Sequence, residues 1–199
     1  MSDSMREGNS VVIDAALARR IRLVGLDVDG VLTDGGLYIG MTAQHPVELK
    51  RFDIQDGLGI KLLRDAGLAV VLVSARRSEA TDLRARELKV DEVVQHNQKL
   101  PAFDDVLRRR GVAWEDCVFV GDDLPDLPLL RRVGLPIAVA NAVPEVAAAA
   151  RIVTRAAGGH AAVREVAELL LRARDQWDGL IGRYLQERGD VAQSTLRSG

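Results

Sequence analysis

The chain has 199 residues, 47% of them hydrophobic, enough to bury one full core and too few for two large domains. Its 27 basic and 29 acidic residues are interspersed and leave a formal net charge of −2, without the basic stripe that a nucleic-acid surface needs. Cys117 is the one cysteine, which excludes an internal disulfide and a thiolate metal cluster, and its ordinary reading is a small buried apolar residue. No apolar run reaches the roughly 18 residues of a membrane span, and the opening stretch lacks a signal-peptide core. The expectation is a soluble, cytoplasmic protein with neither nucleic acid nor membrane as partner.

Residues 1–19 read as an N-terminal extension. Ile21–Val28 is the first predicted strand, an apolar run that ends among Asp27 and Asp29. After Gly35 and Gly36, "LYIG" and "VELKRF" flank "MTAQHP" and predict a β-hairpin insertion over about 36–52. So short a hairpin cannot bury itself and must lean on the body or on another subunit. A helix then follows over Leu58–Ala66, a strand over Ala69–Val73, a helix over Ser78–Leu88 and a strand over Glu92–Val94. The rhythm continues with a helix at Leu100–Arg110, a strand at Cys117–Val120, a helix at Leu124–Val133, a strand at Pro136–Val139, a helix at Glu145–Ala150 and a weaker strand at Arg151–Val153. "HAAVREVAELLLRARDQWDGLIGRYLQ" reads as one amphipathic helix weakened by Gly179 and Gly182, and "ERGDVAQSTLRSG" as a mobile polar tail. This alternation predicts an α/β fold: a Rossmann-like parallel sheet with helices on both faces and a hairpin after the first strand, with the main domain at 20–175 and the helix end and tail at 176–199.

Polar residues recur at one kind of place. Asp27 and Asp29 follow the first strand, Ser74 follows "LAVVLV", Lys99 follows the "EVV" strand, and Asp122 and Asp123 follow "CVFVG". Such strand ends gather at one edge of a parallel sheet, where ligands bind. Each residue alone has an ordinary reading: an aspartate caps a turn, a serine caps a helix, a lysine is solvated. Together they predict magnesium-dependent phosphoryl transfer, because converging carboxylates need a divalent cation and an all-oxygen donor set suits Mg²⁺ better than zinc. Asp27 and Asp29 alternate in direction along an extended backbone, so one can serve as ligand and nucleophile while the other moves a proton. Lys99 and the Ser74 hydroxyl can hold the phosphate.

"DVDGVLTDG", "VLVSARRS", Lys99 and "VGDDLPDLP" resemble the four ordered motifs of haloacid dehalogenase superfamily phosphatases. Within that superfamily, "FDIQDGLGIKLL" and "VTRAAGGHAAVREVAELLL" make the chain similar to the capless phosphatases of 3-deoxy-ulosonic acid phosphates, over about residues 20–175. The resemblance implies Asp27 as nucleophile, Asp29 as general acid and base, Ser74 and Lys99 as phosphate holders, and Asp27, Asp122 and the Asp29 backbone carbonyl as Mg²⁺ ligands. It makes Asp123 and Asp126 supporting groups. It also implies substrate contacts at Asp29, Asp53, Ile54, Gln55, Asp56, Gly57, Lys61, Arg76, Arg84 and Lys99. The implied substrate is a phosphorylated sugar acid of lipopolysaccharide biosynthesis, eight-carbon 8-phosphate first and nine-carbon 9-phosphate second.

His45 and His160 read as surface histidines. A receiver domain shares the residue types, but there the phosphorylated aspartate precedes the serine or threonine on a later strand, whereas here the later acids come last. A silent binding module on the same fold is the remaining alternative. No cap domain fits between Gly35 and Ser74, so the resemblance further implies a homotetramer in which hairpins associate and Gly158–Ala162 reaches a neighbouring site.

Overall fold

The computed structural model describes residues 13–190; residues 1–12 of the expected extension and 191–199 of the expected tail lie outside the described residues. Strands β1 (Leu23–Asp27), β2 (Tyr38–Met41), β3 (Pro46–Leu49), β4 (Ala69–Ser74), β5 (Glu92–Gln95), β6 (Cys117–Gly121), β7 (Leu135–Ala138) and β8 (Ile152–Val153) alternate with helices. These are α1 (Ala15–Arg20), α2 (Ile54–Asp65), α3 (Glu79–Leu88), α4 (Lys99–Arg110), α5 (Leu127–Leu130), α6 (Pro144–Ala149), α7 (Ala162–Ala173) and α8 (Trp177–Gln186). Six strands pair in parallel in the order β5-β4-β1-β6-β7-β8, and β2 and β3 form a separate antiparallel pair. The chain runs outward from β1 through β4 to β5, then returns to the other side of β1. That reversal opens a crevice beyond the carboxyl end of β1.

Side chains alternate across the sheet and divide the core in two. Val24 and Leu26 of β1 face a layer containing Ile60 and Leu63 of α2 and Val163, Val166 and Leu170 of α7. Leu23 faces the other layer, with Phe103 and Val106 of α4, Phe119 of β6 and Leu129 of α5. Asp27 lies four residues beyond Leu23 and so projects to the α4 side. Cys117 is buried in this second layer, and burial pushes its thiol up to about 12.

Several elements differ from the sequence expectation for definable reasons. α2 begins at Ile54 because the Asp53 side chain accepts the Gln55 N–H at 2.7 Å and caps the helix. The segment expected as a helix from Leu124 to Val133 is a 3₁₀ turn over Leu124–Asp126 followed by the four-residue α5, since Pro125 and Pro128 withhold backbone donors. The long amphipathic helix is two helices. Asp175 turns left-handed at φ 58°, Arg174 reaches back to the carbonyls of Ala18 at 2.7 Å and Ile21 at 2.9 Å, and the glycines blamed for weakness sit inside α8. α1, too short to show a period, is capped by Asp14, which accepts the Leu17 N–H at 2.8 Å.

The hairpin leans on the body at its root, where Thr33 bridges to Phe52 and Glu48 pairs with Arg76 at 2.8 Å. Farther out, Ile39 and Met41 are 71% and 76% exposed. Among the described residues no helix is long and apolar enough to cross a membrane.

Candidate active site

Asp27 closes β1, and Lys99, the first residue of α4, meets it in a buried ion pair. Lys99 Nζ also donates to Asp126 Oδ1 at 2.8 Å. The other Asp126 oxygen accepts the Asp122 N–H at 3.0 Å, which fixes the turn after β6. Carboxylate oxygens of Asp27, Asp122 and Asp126 lie within 4.8 Å of one another. Asp122 gets so close because residue 30 is glycine at φ +103°: a Cβ there would stand 2.0 Å from Asp122 Oδ2.

Asp27 and Asp126 share one buried ammonium and Asp122 stands half-buried beside them, which leaves two negative charges in excess. Burial, and then the Asp126 charge, raise Asp27 well above the ordinary carboxylate range in spite of Lys99. The same two causes push Asp122 up to about 6. Burial opposes the charge on Lys99, but Asp27 and Asp126 outweigh it and raise its pKa. A divalent cation matches the excess, and an all-oxygen donor set fits Mg²⁺. Asp126 belongs to the cluster more directly than the sequence suggested, with both oxygens already engaged by Lys99 and the Asp122 backbone.

Asp29 faces elsewhere. It sits in the turn Val28–Leu32 with φ −83° and ψ 98°, and its Oδ1 accepts from Lys50 Nζ at 2.6 Å. Its Oδ2 lies 3.4 Å from Ser74 Oγ at the end of β4, and that hydroxyl oxygen accepts the Arg76 N–H at 3.1 Å. The two strand-end carboxylates are thus divided between two lysines, and the Asp29 carboxylate is outside the three-acid cluster.

The loop after β1 is held from a third side. Asn141 donates to the Gly30 carbonyl at 3.1 Å and accepts the Gly158 N–H at 2.6 Å. A Cβ on Gly158 would fall 1.7 Å from the Gly30 oxygen, so only glycine permits this approach. Gly159 N–H donates to the Val31 carbonyl at 3.0 Å, and Arg51 donates to the Gly159 carbonyl at 2.5 Å. The start of the segment expected to reach a neighbour is therefore tied to the site loop of its own chain. His160 accompanies it, with Nδ1 2.9 Å from the Gly158 carbonyl, whereas His45 lies exposed at the hairpin tip.

The expected substrate-binding residues divide. Arg76 stays beside Ser74, its guanidinium on Glu48. Asp53 caps α2. Asp56 corrects the expectation: its carboxylate is buried, accepts the Arg164 N–H at 2.9 Å at the start of α7, and is pushed up to about 6 by burial. Lys61 pairs with Asp65 at 2.5 Å and lies over Tyr184. Arg84 pairs with Glu87 at 2.8 Å and donates to the Asp53 carbonyl at 3.1 Å. Ile54, Gly57, Lys61 and Arg84 line a groove of about 610 Å³ between α2, α3 and α8 that the acid cluster does not enter, and Gln55 is exposed.

Lys50, Arg51 and Asn141 escaped the sequence reading. The signal for Lys50 lies in the period of two: Glu48 and Lys50 share one face of the β3 strand line, Val47 and Leu49 the other. The Lys50 side chain is 1% exposed while Leu49 is 61% exposed, the reverse of an ordinary surface strand.

This combination of a doubly bounded parallel sheet, strand-end carboxylates and a buried lysine defines a haloacid dehalogenase-like hydrolase, and the model of that family matches residues 90–165. The chain is 41% identical over 171 residues to the 3-deoxy-D-manno-octulosonate 8-phosphate phosphatase KdsC of Escherichia coli K12, covering 85% of this chain and 89% of that one. A crystal structure of 3-deoxy-D-manno-octulosonate 8-phosphate phosphatase from Moraxella catarrhalis, in complex with magnesium ion, phosphate ion and KDO, superposes with a TM-score of 0.79 at 36% identity over 85% of this chain and 97% of that chain. The Yersinia pestis enzyme of the same name gives 0.78 at 39% identity over 83% and 88%. The chain belongs to the 3-deoxy-D-manno-octulosonate 8-phosphate phosphatase family of haloacid dehalogenase-like hydrolases.

Proposed function

We propose that this protein is a Mg²⁺-dependent phosphomonoesterase that hydrolyses 3-deoxy-D-manno-octulosonate 8-phosphate to 3-deoxy-D-manno-octulosonate and phosphate, in lipopolysaccharide sugar biosynthesis. The observation that carries the chemistry is the buried excess of negative charge at Asp27, Asp122 and Asp126 beside Lys99, with Asp29 held apart from it. The relatives carry the substrate. Asp27, Asp122 and the Asp29 backbone carbonyl would hold the cation, which when bound supplies positive charge against the phosphoryl oxygens.

Asp27 is the nucleophile. One of its oxygens attacks phosphorus, the ester P–O bond breaks, and the leaving alkoxide takes the proton carried by Asp29. This yields an aspartyl phosphate and the free sugar acid. Asp29, now a carboxylate, takes a proton from a water whose oxygen attacks phosphorus. The bond to Asp27 then breaks, releasing phosphate and restoring both side chains. Lys99 and Ser74 hold the phosphoryl oxygens through charge-assisted hydrogen bonds. Arg76, with Arg84 and Lys61 of the groove along α2 and the residues Asp53, Ile54, Gln55 and Gly57 at the start of that helix, recognises the sugar acid, whose carboxylate suits a bidentate guanidinium.

The protein is a cytoplasmic homotetramer in this reading. Support comes from the outward apolar hairpin residues Tyr38, Ile39, Met41 and Leu49, which a monomer leaves in water. Light scattering on the intact chain, and on one with Tyr38–Leu49 replaced by a short turn, tests this: the intact chain gives a tetramer and the deletion a smaller species. A monomeric intact chain that is fully active contradicts it.

Phosphate release from a panel of esters tests the activity. The eight-carbon 8-phosphate is expected to be hydrolysed with the highest kcat/KM, nine-carbon 9-phosphates next, and simple aldose phosphates least. Activity vanishes in chelator and returns with Mg²⁺. A preference for aldose phosphates, or rescue by zinc and not magnesium, contradicts the reading.

A further inference from the structure

We propose that Lys50, at the root of the hairpin, is the positioning residue for the Asp29 carboxyl group and fixes the direction from which a proton reaches the leaving alcohol. The inference rests on the reading of Asp29 as the acid and base. Lys50 Nζ lies 2.6 Å from Asp29 Oδ1, with Thr81 Oγ1 at 3.4 Å and Glu48 Oε1 at 3.6 Å as its other neighbours. One side chain therefore joins the loop after β1, the root of the hairpin and the first turns of α3.

Asp29 has little else to hold it. Its side chain is 30% exposed, and its second neighbour, Ser74 Oγ, stands at a long 3.4 Å. A carboxylate in that position, released from Lys50, gains rotamer freedom and can turn to solvent. Lys50 pins Oδ1 and leaves Oδ2 as the oxygen on the Ser74 side, the side on which the phosphoryl group is held. Proton delivery then runs through Oδ2. The charge on Lys50 is itself informative. Lysine is almost never buried without a partner, and an anchor serving only to pack the hairpin root would be as good or better with an apolar side chain of similar length.

The backbone around Lys50 is fixed from both ends. Arg51 donates to the Gly159 carbonyl at 2.5 Å, Phe52 bridges to Thr33, and Glu48 pairs with Arg76 at 2.8 Å. Lys50 is thus presented by a braced segment, and the inward face of the hairpin serves the reaction whatever its outward face contacts.

The test separates proton delivery from every other role by changing the leaving group. An alkyl phosphate such as the sugar-acid ester needs its departing oxygen protonated, whereas p-nitrophenolate departs with little help. Comparing kcat/KM confines the readout to steps up to loss of the leaving group. Lys50→Met is expected to lower kcat/KM for the sugar-acid ester at least about tenfold more than for p-nitrophenyl phosphate, part of the 10² to 10⁴-fold that general acid catalysis supplies. Lys50→Gln, which keeps a donor toward Oδ1, should show a smaller version of the same bias, and it carries the comparison if Lys50→Met does not fold. Equal losses on both esters, in whichever of the two variants folds, overturn the proposal and make Lys50 a phosphate-binding or purely structural residue. Asp29→Asn, run beside them, is expected to show the largest bias. If Asp29→Asn shows none, it is the acid reading of Asp29 that fails, irrespective of the Lys50 result.

Discussion

The carboxyl edge of β1 and β6 and the groove along α2 hold the same kinds of side chain in opposite electrostatic states. At the sheet edge, Asp27 and Asp126 pair with Lys99 out of water, Asp122 stands half-buried beside them, and the charges do not balance. Along α2, Lys61 has Asp65 and Arg84 has Glu87, each cation already matched by an acid on its own helix. Unbalanced burial is costly and persists only where a bound partner completes it. Surface pairs such as Lys61 with Asp65 contribute little to stability and can exchange partners when a ligand arrives. In the proposed function the first region carries the chemistry and the second the recognition.

The largest effect is expected from Asp27→Asn. It keeps the volume and removes the proposed nucleophile, so turnover should fall by a factor on the order of 10⁴ or more while the thermal midpoint holds or rises. A stable variant that loses only tenfold would put Asp27 in the same class as the groove residues.

Asp56 tests the boundary between the regions, since it lies on the helix that lines the groove yet faces inward. Burial raises its pKa from 3.8 to about 6, so the folded state favours the protonated form. That contribution is fully present below pH of about 4 and is lost as pH rises through about 6. Asp56→Asn does not titrate, so its stability relative to the parent should improve by roughly 2–3 kcal/mol between pH of about 4 and about 7.5. Urea denaturation of both proteins at the two pH values measures it; a shift in favour of the parent as pH rises contradicts the assignment.

The smallest effect is expected in the groove. Arg84→Ala should raise KM for the sugar-acid ester about tenfold and leave kcat nearly untouched, as removal of uniform binding does. A fall in kcat with KM unchanged would move Arg84 into the reacting centre.

Much of the sheet edge was legible in the sequence because continuous apolar runs announce buried parallel strands and the polar residues stand at their ends. Asp27, Asp29, Ser74, Lys99 and Asp122 all lie at such ends in the structure. What stayed hidden depends on contacts between distant segments. Lys50 meets Asp29 from 21 residues away, and Asn141 meets Gly30 from 111. Asp56 looks like a loop acid in "FDIQDG" and becomes buried only because the start of α7 supplies an N–H to its carboxylate. The break at Asp175 is invisible to helical periodicity, which runs on through it, and arises because Arg174 is drawn to the end of α1.

In the proposed mechanism Asp27 becomes covalently phosphorylated. The direct measurement is rapid acid quench of the Mg²⁺-loaded protein during turnover of the sugar-acid phosphate, followed by proteolysis and mass spectrometry of the peptide spanning β1. The expected result is one added phosphoryl group on Asp27, absent from Asp27→Asn and accumulating in Asp29→Asn supplied with p-nitrophenyl phosphate, whose leaving group departs without a proton while the second water is no longer activated. A phosphoryl group on any other side chain, or turnover at full rate with none trapped in either protein, would contradict it.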